Sequence, residues 1–203
     1  VPPPPRGYSV ILSLDGQRTF PLFWRHREAR APQAPVILVA ISYEGANRRW
    51  RDLTSRSMKP IAPILGYRAA PADRLTGGRA DFLAMIGDEL LPELARRHPL
   101  DRSQMTLYGH SLGGLFVLHA LFTRPRLFAR YVAADPSVWW NAGESQREAA
   151  AFVGGVLAAA GVAVSVDTRT RVDRKIRSAS SIASHRSSSG ERFQRSHLRH
   201  TTH

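Results

Sequence analysis

Met105-Thr-Leu-Tyr-Gly-His-Ser-Leu-Gly-Gly114, together with the apolar run that follows it, decides how this chain is read. Met105 to Tyr108 is a short apolar stretch that predicts a buried strand, and Gly114 to Phe122 predicts a helix packed on a sheet. Between them stands G-x-S-x-G, with Ser111 at its centre. A serine on a sharp strand-to-helix turn needs small residues two before and two after it, where side chains would clash. Gly109 and Gly113 meet that need, and Gly114 falls where the helix would pass close to neighbouring strands. The bare pattern is weak, because glycine and serine are common residues and a coincidental glycine-rich turn satisfies it too. The strand before and the helix after supply the context that the chemistry requires.

Working outward, the segments predict an α/β protein of the α/β-hydrolase fold, with a mostly parallel central sheet flanked by helices and cut short at its C-terminal end. Ser9 to Leu14, Val36 to Ser42, Tyr131 to Ala134 and Gly161 to Val166 are short runs rich in aliphatic residues, as interior strands are. Phe82, Leu83, Met85, Ile86, Leu90, Leu91 and Leu94 recur at helical spacing between Arg79 and His98, and Pro92 is expected to bend or interrupt that helix. Glu144 to Ala160 predicts a further helix ended by Gly161. Met58 to Gly78, with three prolines and three glycines, predicts a long loop, either a lid or an insertion. Residues 1–6 are a Pro-rich entry segment, 7–166 the domain, and 167–203 an Arg/Ser/His-rich tail. That tail has too little apolar surface to offset the entropy of ordering it and is expected to be disordered.

Composition bounds the function. With 203 residues, 43% of them hydrophobic, the chain can build one domain of ordinary core size. Its apolar runs fall far short of the roughly 20 residues that span a bilayer. With no cysteine, disulfides, thiolate catalysis and Cys-ligated zinc are excluded. A soluble bacterial protein is expected, with cytoplasm and periplasm both open. The net charge of +13 raises nucleic-acid binding, but Lys59 and Lys175 are the only lysines among 29 basic residues and no recognition motif accompanies the charge. A basic solvated surface is the simpler reading, and the oligomeric state is left open.

The long segment Tyr108-Gly-His-Ser-Leu-Gly-Gly-Leu-Phe-Val-Leu-His-Ala-Leu-Phe-Thr-Arg-Pro125, with Leu127-Phe-Ala-Arg-Tyr-Val-Ala-Ala-Asp-Pro-Ser-Val-Trp-Trp140, resembles an esterase family that includes siderophore esterases. Ile11 to Gly16, Val36 to Tyr43, the Arg-rich stretch ending Asp52-Leu-Thr54, and Gly87 to Leu94 resemble it in the same order. The resemblance implies a serine hydrolase acting on carboxylic esters, such as those of enterobactin-type iron chelators, through an acyl-enzyme on Ser111. It requires no metal or organic cofactor, since any iron would arrive with the small-molecule substrate.

A serine hydroxyl is a poor nucleophile until an imidazole takes its proton, and a carboxylate commonly orients that imidazole. The fold orders them serine, acid, histidine. Asp167, just after the last candidate strand, is the acid placed most like the family's, and His185 and His197 are the candidate bases, although they fall in the tail. His110 and His119 read as structural, and Asp135 reads as a turn residue. For the oxyanion hole the fold supplies the backbone N–H of Leu112 and a second from Asp15-Gly-Gln17, hence Gly16 or Gln17. Arg48 and Arg49 are candidates to pair with an anionic substrate, with a solvated arginine face as the alternative. Trp139 and Trp140 are candidates to line a pocket, with core packing as the safer reading. The competing class is a catalytically inactive homologue or frame-shifted fragment serving at most as a binding module.

Overall fold

A computed structural model describes residues 1–57 and 75–153, and the backbone of 163–167. The chain divides into Val1–Thr168 and Arg169–His203, and all described residues lie in the first unit. Most of the expected loop, residues 154–160 of the expected last helix, and the tail with His185 and His197 lie outside the described residues.

Five strands form one sheet, β1 (Tyr8–Ser13), β2 (Val36–Ala40), β3 (Leu100–His110), β4 (Arg130–Ala134) and β5 (Ala163–Asp167). Their order is β2-β1-β3-β4-β5 and every pairing is parallel, as the runs of aliphatic residues predict. The chain steps from β1 one way to β2, then returns across β1 to place β3 on its other side. The order therefore reverses between β1 and β3, and a crevice opens at their C-terminal ends, the place where open parallel sheets bind ligands.

Helix α1 (Gly16–Arg30) makes the first crossover, and α2 (Arg49–Leu53), α3 (Arg79–Ala84) and α4 (Leu91–Arg97) lie on the second. α5 (Leu112–Thr123) and α6 (Glu144–Val153) follow β3 and β4. Right-handed crossovers put α1 on one face of the sheet and the others on the opposite face. α5 is buried from Leu112 to Leu121, because the sheet, α2 and α6 surround it. Phe116, Val117, Leu115, Leu107, Val10, Leu12 and Ile86 make the centre of the core, each at most 1% exposed.

Sequence and structure differ at three places. β3 starts at Leu100, not Met105, because its first turns of chain carry exposed polar residues and a pairing irregularity against β1, so hydrophobicity did not announce it. The helix expected from Arg79 to His98 is interrupted as anticipated, but by a π-helical stretch, Met85–Leu90, just ahead of Pro92. Pro92 has no N–H for the carbonyl four residues back and its ring crowds that carbonyl, so the turn widens, and Leu91 N–H bonds Ile86 O five residues back. α1 went unanticipated altogether. It buries only Gly16 and Thr19 and carries Pro21 within it, so it shows no apolar stripe.

α6 is anchored on the core by charge. Arg79 Nη2 donates to Glu144 Oε1 at 2.8 Å and to Glu148 Oε1 at 2.5 Å, and His119 Nδ1 lies 3.6 Å from the same Glu148 oxygen. Burial raises the Glu148 pKa, but the His119 hydrogen bond and the Arg79 charge outweigh it and hold the carboxyl below the ordinary glutamate value of 4.5. A depressed folded-state pKa stabilises the fold above the unfolded value and loses that stabilisation as pH falls through the folded one. Stability is therefore expected to drop on acidification below pH 4.5, with Glu148→Gln flattening that part of a pH series of urea midpoints. Arg79→Met is expected to cost about 2–3 kcal/mol in urea unfolding at neutral pH. This falls at or below the full cost of an orphaned buried ion, because the Glu144 and Glu148 side chains remain 21% and 24% exposed.

Candidate active site

Ser111 follows the last residue of β3 and caps α5 with φ 58° and ψ −115°. This left-handed backbone is costly for a residue with a side chain and persists only where the surroundings impose it. They do so here with three backbone hydrogen bonds: Ser111 N–H to Ala134 O (3.0 Å), and Ser137 N–H (3.1 Å) and Leu115 N–H (3.0 Å) to Ser111 O. The result is a strand–turn–helix that leaves the serine half-buried at the rim of the crevice.

The glycines contribute unequally. A methyl group on Gly109 would sit 2.3 Å from Gly113 O and 2.4 Å from Gly113 C, both backbone atoms that cannot move without undoing the turn. On Gly114 it would meet Ala134 O and Pro136 Cα at 3.0 Å, so that glycine permits the close passage of α5 over β4 that the sequence suggested. On Gly113 it would find ordinary contacts, Asp15 Oδ2 at 3.4 Å and Leu14 Cβ at 3.6 Å. The second glycine of the pattern is thus not sterically required, and the third is tighter than the second.

Gly113 looks onto the turn after β1, which brings the second loop of the crevice beside α5. Leu112 is the first residue of α5, where an amide has no carbonyl one turn back to bond, and this leaves its N–H as a donor. Gly16 is different: its N–H donates to Ile41 O at 2.8 Å, which removes it as an oxyanion donor. Gln17 N–H has no recorded acceptor among the described residues, and the Gln17 side chain is tied back by Nε2 to Tyr43 O at 2.9 Å. Of the two donors expected after β1, only Gln17 remains.

The two arginines separate. Arg49 turns inward, its Nε donating to Asp15 Oδ1 at 2.7 Å and its Nη2 to His110 O at 3.1 Å. Arg48 stays half in solvent, 3.3 Å from Asp52, at the wall of a cleft of about 390 Å³ that Tyr43, Arg51, Asp81 and Phe82 also line. Burial, then the charges of Asp52 and Asp15, push the Tyr43 phenol well above its ordinary range. Trp139 is 53% exposed, whereas Trp140 is buried in the core and donates through Nε1 to Ser55 Oγ at 2.9 Å. A pocket-lining role is thereby withdrawn for Trp140.

His110 is exposed and His119 is packed under α6. Asp135 is an exposed turn residue with φ 42°. Asp167 ends β5 in register with Ala134, which is itself in register with His110. Two strand spacings, roughly 10 Å, separate the backbones of Asp167 and His110 along this rim. Sequence reasoning passed over Ser137, whose Oγ stands 3.2 Å from Ser111 Oγ. Its signal was the Asp-Pro-Ser-Val-Trp-Trp segment, read for its tryptophans instead. Among the described residues no imidazole pairs with Ser111, and none of the His, Asp and Glu groupings can hold a metal ion.

A family model described as Putative esterase matches residues 2–173. The chain belongs to this esterase family. Ferri-bacillibactin esterase BesA of Bacillus subtilis is 38% identical over 153 residues, covering 69% of this chain and 51% of that protein. The siderophore triacetylfusarinine C esterase of Aspergillus fumigatus is 38% identical over 155 residues, covering 71% and 49%. Among solved structures, the BES protein from Bacillus cereus superposes with a TM-score of 0.69 at 30% identity, covering 91% of this chain and 73% of that one. Siderophore hydrolase EstA from Aspergillus nidulans gives 0.65 at 32% identity, covering 79% and 57%. The fold is therefore that of the α/β-hydrolases, and the chain spans about half the length of the curated relatives it matches.

The glycine geometry yields a graded expectation. Gly109→Ala should lower stability by about 2–3 kcal/mol through overpacking. Gly113→Ala should be neutral or slightly stabilising, since alanine is the better helix residue by about 1 kcal/mol. Urea denaturation of the two variants checks the order.

Proposed function

We propose that this esterase hydrolyses carboxylic esters of the siderophore type through an acyl-enzyme on Ser111. The observation that carries the reading is the left-handed backbone of Ser111 at the strand-order reversal, which presents its hydroxyl beside the unbonded first amide of α5. The names of the relatives supply the substrate class.

Ser111 Oγ attacks the ester carbonyl carbon as its proton passes to an imidazole, for which His185 or His197 is proposed. The carbonyl oxygen gains a full negative charge, held by Leu112 N–H and Gln17 N–H. Collapse of the tetrahedral intermediate breaks the bond to the alkoxy oxygen, which leaves as alcohol with the imidazole's proton. Water then attacks the acyl-serine by the same route and releases the acid. Asp167 is proposed to orient the imidazole from the rim of β5. Arg48, half exposed at the cleft, is proposed to pair with an anionic catecholate arm, and Trp139 offers it an aromatic face.

A second reading, a homologue that binds but does not hydrolyse, rests on Ser111 Oγ lying against Ser137 Oγ, a hydroxyl that cannot act as a base. Covalent labelling with a fluorophosphonate separates the two. Labelling of the folded chain that vanishes in Ser111→Ala is expected. A folded wild type that takes no label would replace the esterase reading with the second one. The size of the effect makes the test decisive: losing the serine or its base from a serine hydrolase costs on the order of 10⁶ in kcat.

A further inference from the structure

The two donors proposed for the oxyanion hole come from loops about a hundred residues apart in sequence, and one side chain fastens those loops together. Arg49 lies on α2, outside both. Its Nε holds the Asp15 carboxylate at 2.7 Å and its Nη2 holds His110 O at 3.1 Å. Asp15 precedes the turn that carries Gln17 N–H, and His110 immediately precedes Ser111 and Leu112. We infer that Arg49 is a positioning residue that clamps the β1–α1 turn to the β3–α5 turn and so fixes the spacing of the two oxyanion donors. This inference rests on the esterase reading of the site.

Three further observations point the same way. Asp15 holds a left-handed backbone, φ 56° and ψ 49°, an uncommon conformation that Asp tolerates better than most residues and that a tie to its side chain helps to hold. Its free oxygen, Oδ2, stands 3.4 Å from where a methyl on Gly113 would lie, against the first turn of α5. A carboxylate there opposes the negative charge that develops on the substrate oxygen, and the guanidinium beside it offsets that opposition. Finally, the side chains of Arg49 and Asp15 are only 22% and 14% exposed, so solvent screens their attraction weakly. A planar guanidinium can satisfy a carboxylate and a carbonyl at once, whereas an ammonium is a single point of charge.

Positioning and substrate contact predict different kinetics. With a p-nitrophenyl acyl ester and the full chain, Arg49→Ala should lower kcat by about 10- to 100-fold, the range set by misplaced groups and by loss of one oxyanion donor. KM should stay within about twofold. Asp15→Asn should act through the same clamp, so the double variant Asp15→Asn/Arg49→Ala should lose no more than the worse single variant. Arg49→Lys keeps a cation beside Asp15 while losing the fork, and should fold and show a smaller fall in kcat at unchanged KM. A raised KM with kcat intact would overturn the inference in favour of direct substrate binding. An undiminished kcat in Arg49→Lys, should Arg49→Ala fail to fold, or multiplying losses in the double variant, would overturn it as well. A folded wild type that neither hydrolyses ester nor takes a fluorophosphonate would overturn the esterase reading and this inference with it, an outcome distinct from each of the others.

Discussion

Where the first atom of a side chain on residue 109 would lie, the carbonyl of Gly113 passes 2.3 Å away. That approach of β3 to the start of α5 is what the site depends on. It lets the chain reverse within Ser111, and the reversal forces the left-handed backbone there. Because α5 then starts directly at Leu112, an amide with no intrahelical partner is left beside the serine hydroxyl. Gly114 extends the same constraint to β4, whose last carbonyl, on Ala134, accepts the Ser111 amide and would lie a tight 3.0 Å from a side chain's first atom there. The turn is thus specified by backbone packing, with side chains added afterwards.

The reversal of strand order turns this local strain into a site. β1 and β3 are neighbours, but the chain leaves them in opposite directions, so the loops after both strands face one crevice with no helix between them. Ile41 O takes the Gly16 amide and Tyr43 O takes the Gln17 side chain, so the end of β2 braces the turn after β1. Burial and the charges of Asp52 and Asp15 also raise the pKa of the Tyr43 phenol beside this rim. On the far side, Tyr131 O–H donates to Arg124 O at 2.8 Å and accepts from Phe128 N–H, pinning the α5–β4 connection; burial pushes its pKa up to about 12.

How much of this was legible in the sequence follows from the range over which each constraint acts. The strand–turn–helix around Ser111 could be read because its glycines, serine and flanking apolar runs lie within a few residues of one another, whereas the bonds to Ala134 and Ser137 that hold the turn could not. The parallel sheet could be read because strands covered on both faces need continuous aliphatic runs. α1 could not, since a helix that buries only Gly16 and Thr19 has no stripe to reveal it. Gly16 looked like an oxyanion donor on sequence order alone, and only the position of Ile41 O, 25 residues on, disqualifies it. Arg48 and Arg49 are adjacent and chemically alike, so sequence could name the pair but not which one turns inward. That choice depends on the phase of α2, which is set by its packing against α3 and α5.

The proposed machinery divides along the same line between local and distant. Nucleophile and oxyanion donors come from two turns whose geometry is fixed by backbone contacts, and such groups alone leave about 10³ to 10⁴ of rate enhancement over water. The remainder depends on an imidazole, which must be free to move a proton between serine, leaving group and water. In this fold that residue follows the acid in the chain. Asp167, the acid proposed for this site, ends β5 level with His110, along the same rim of the sheet as Ser111. The strain at Ser111 is accordingly the part of the mechanism that the sheet itself can supply: it presents the hydroxyl and an unbonded amide together, ahead of any base.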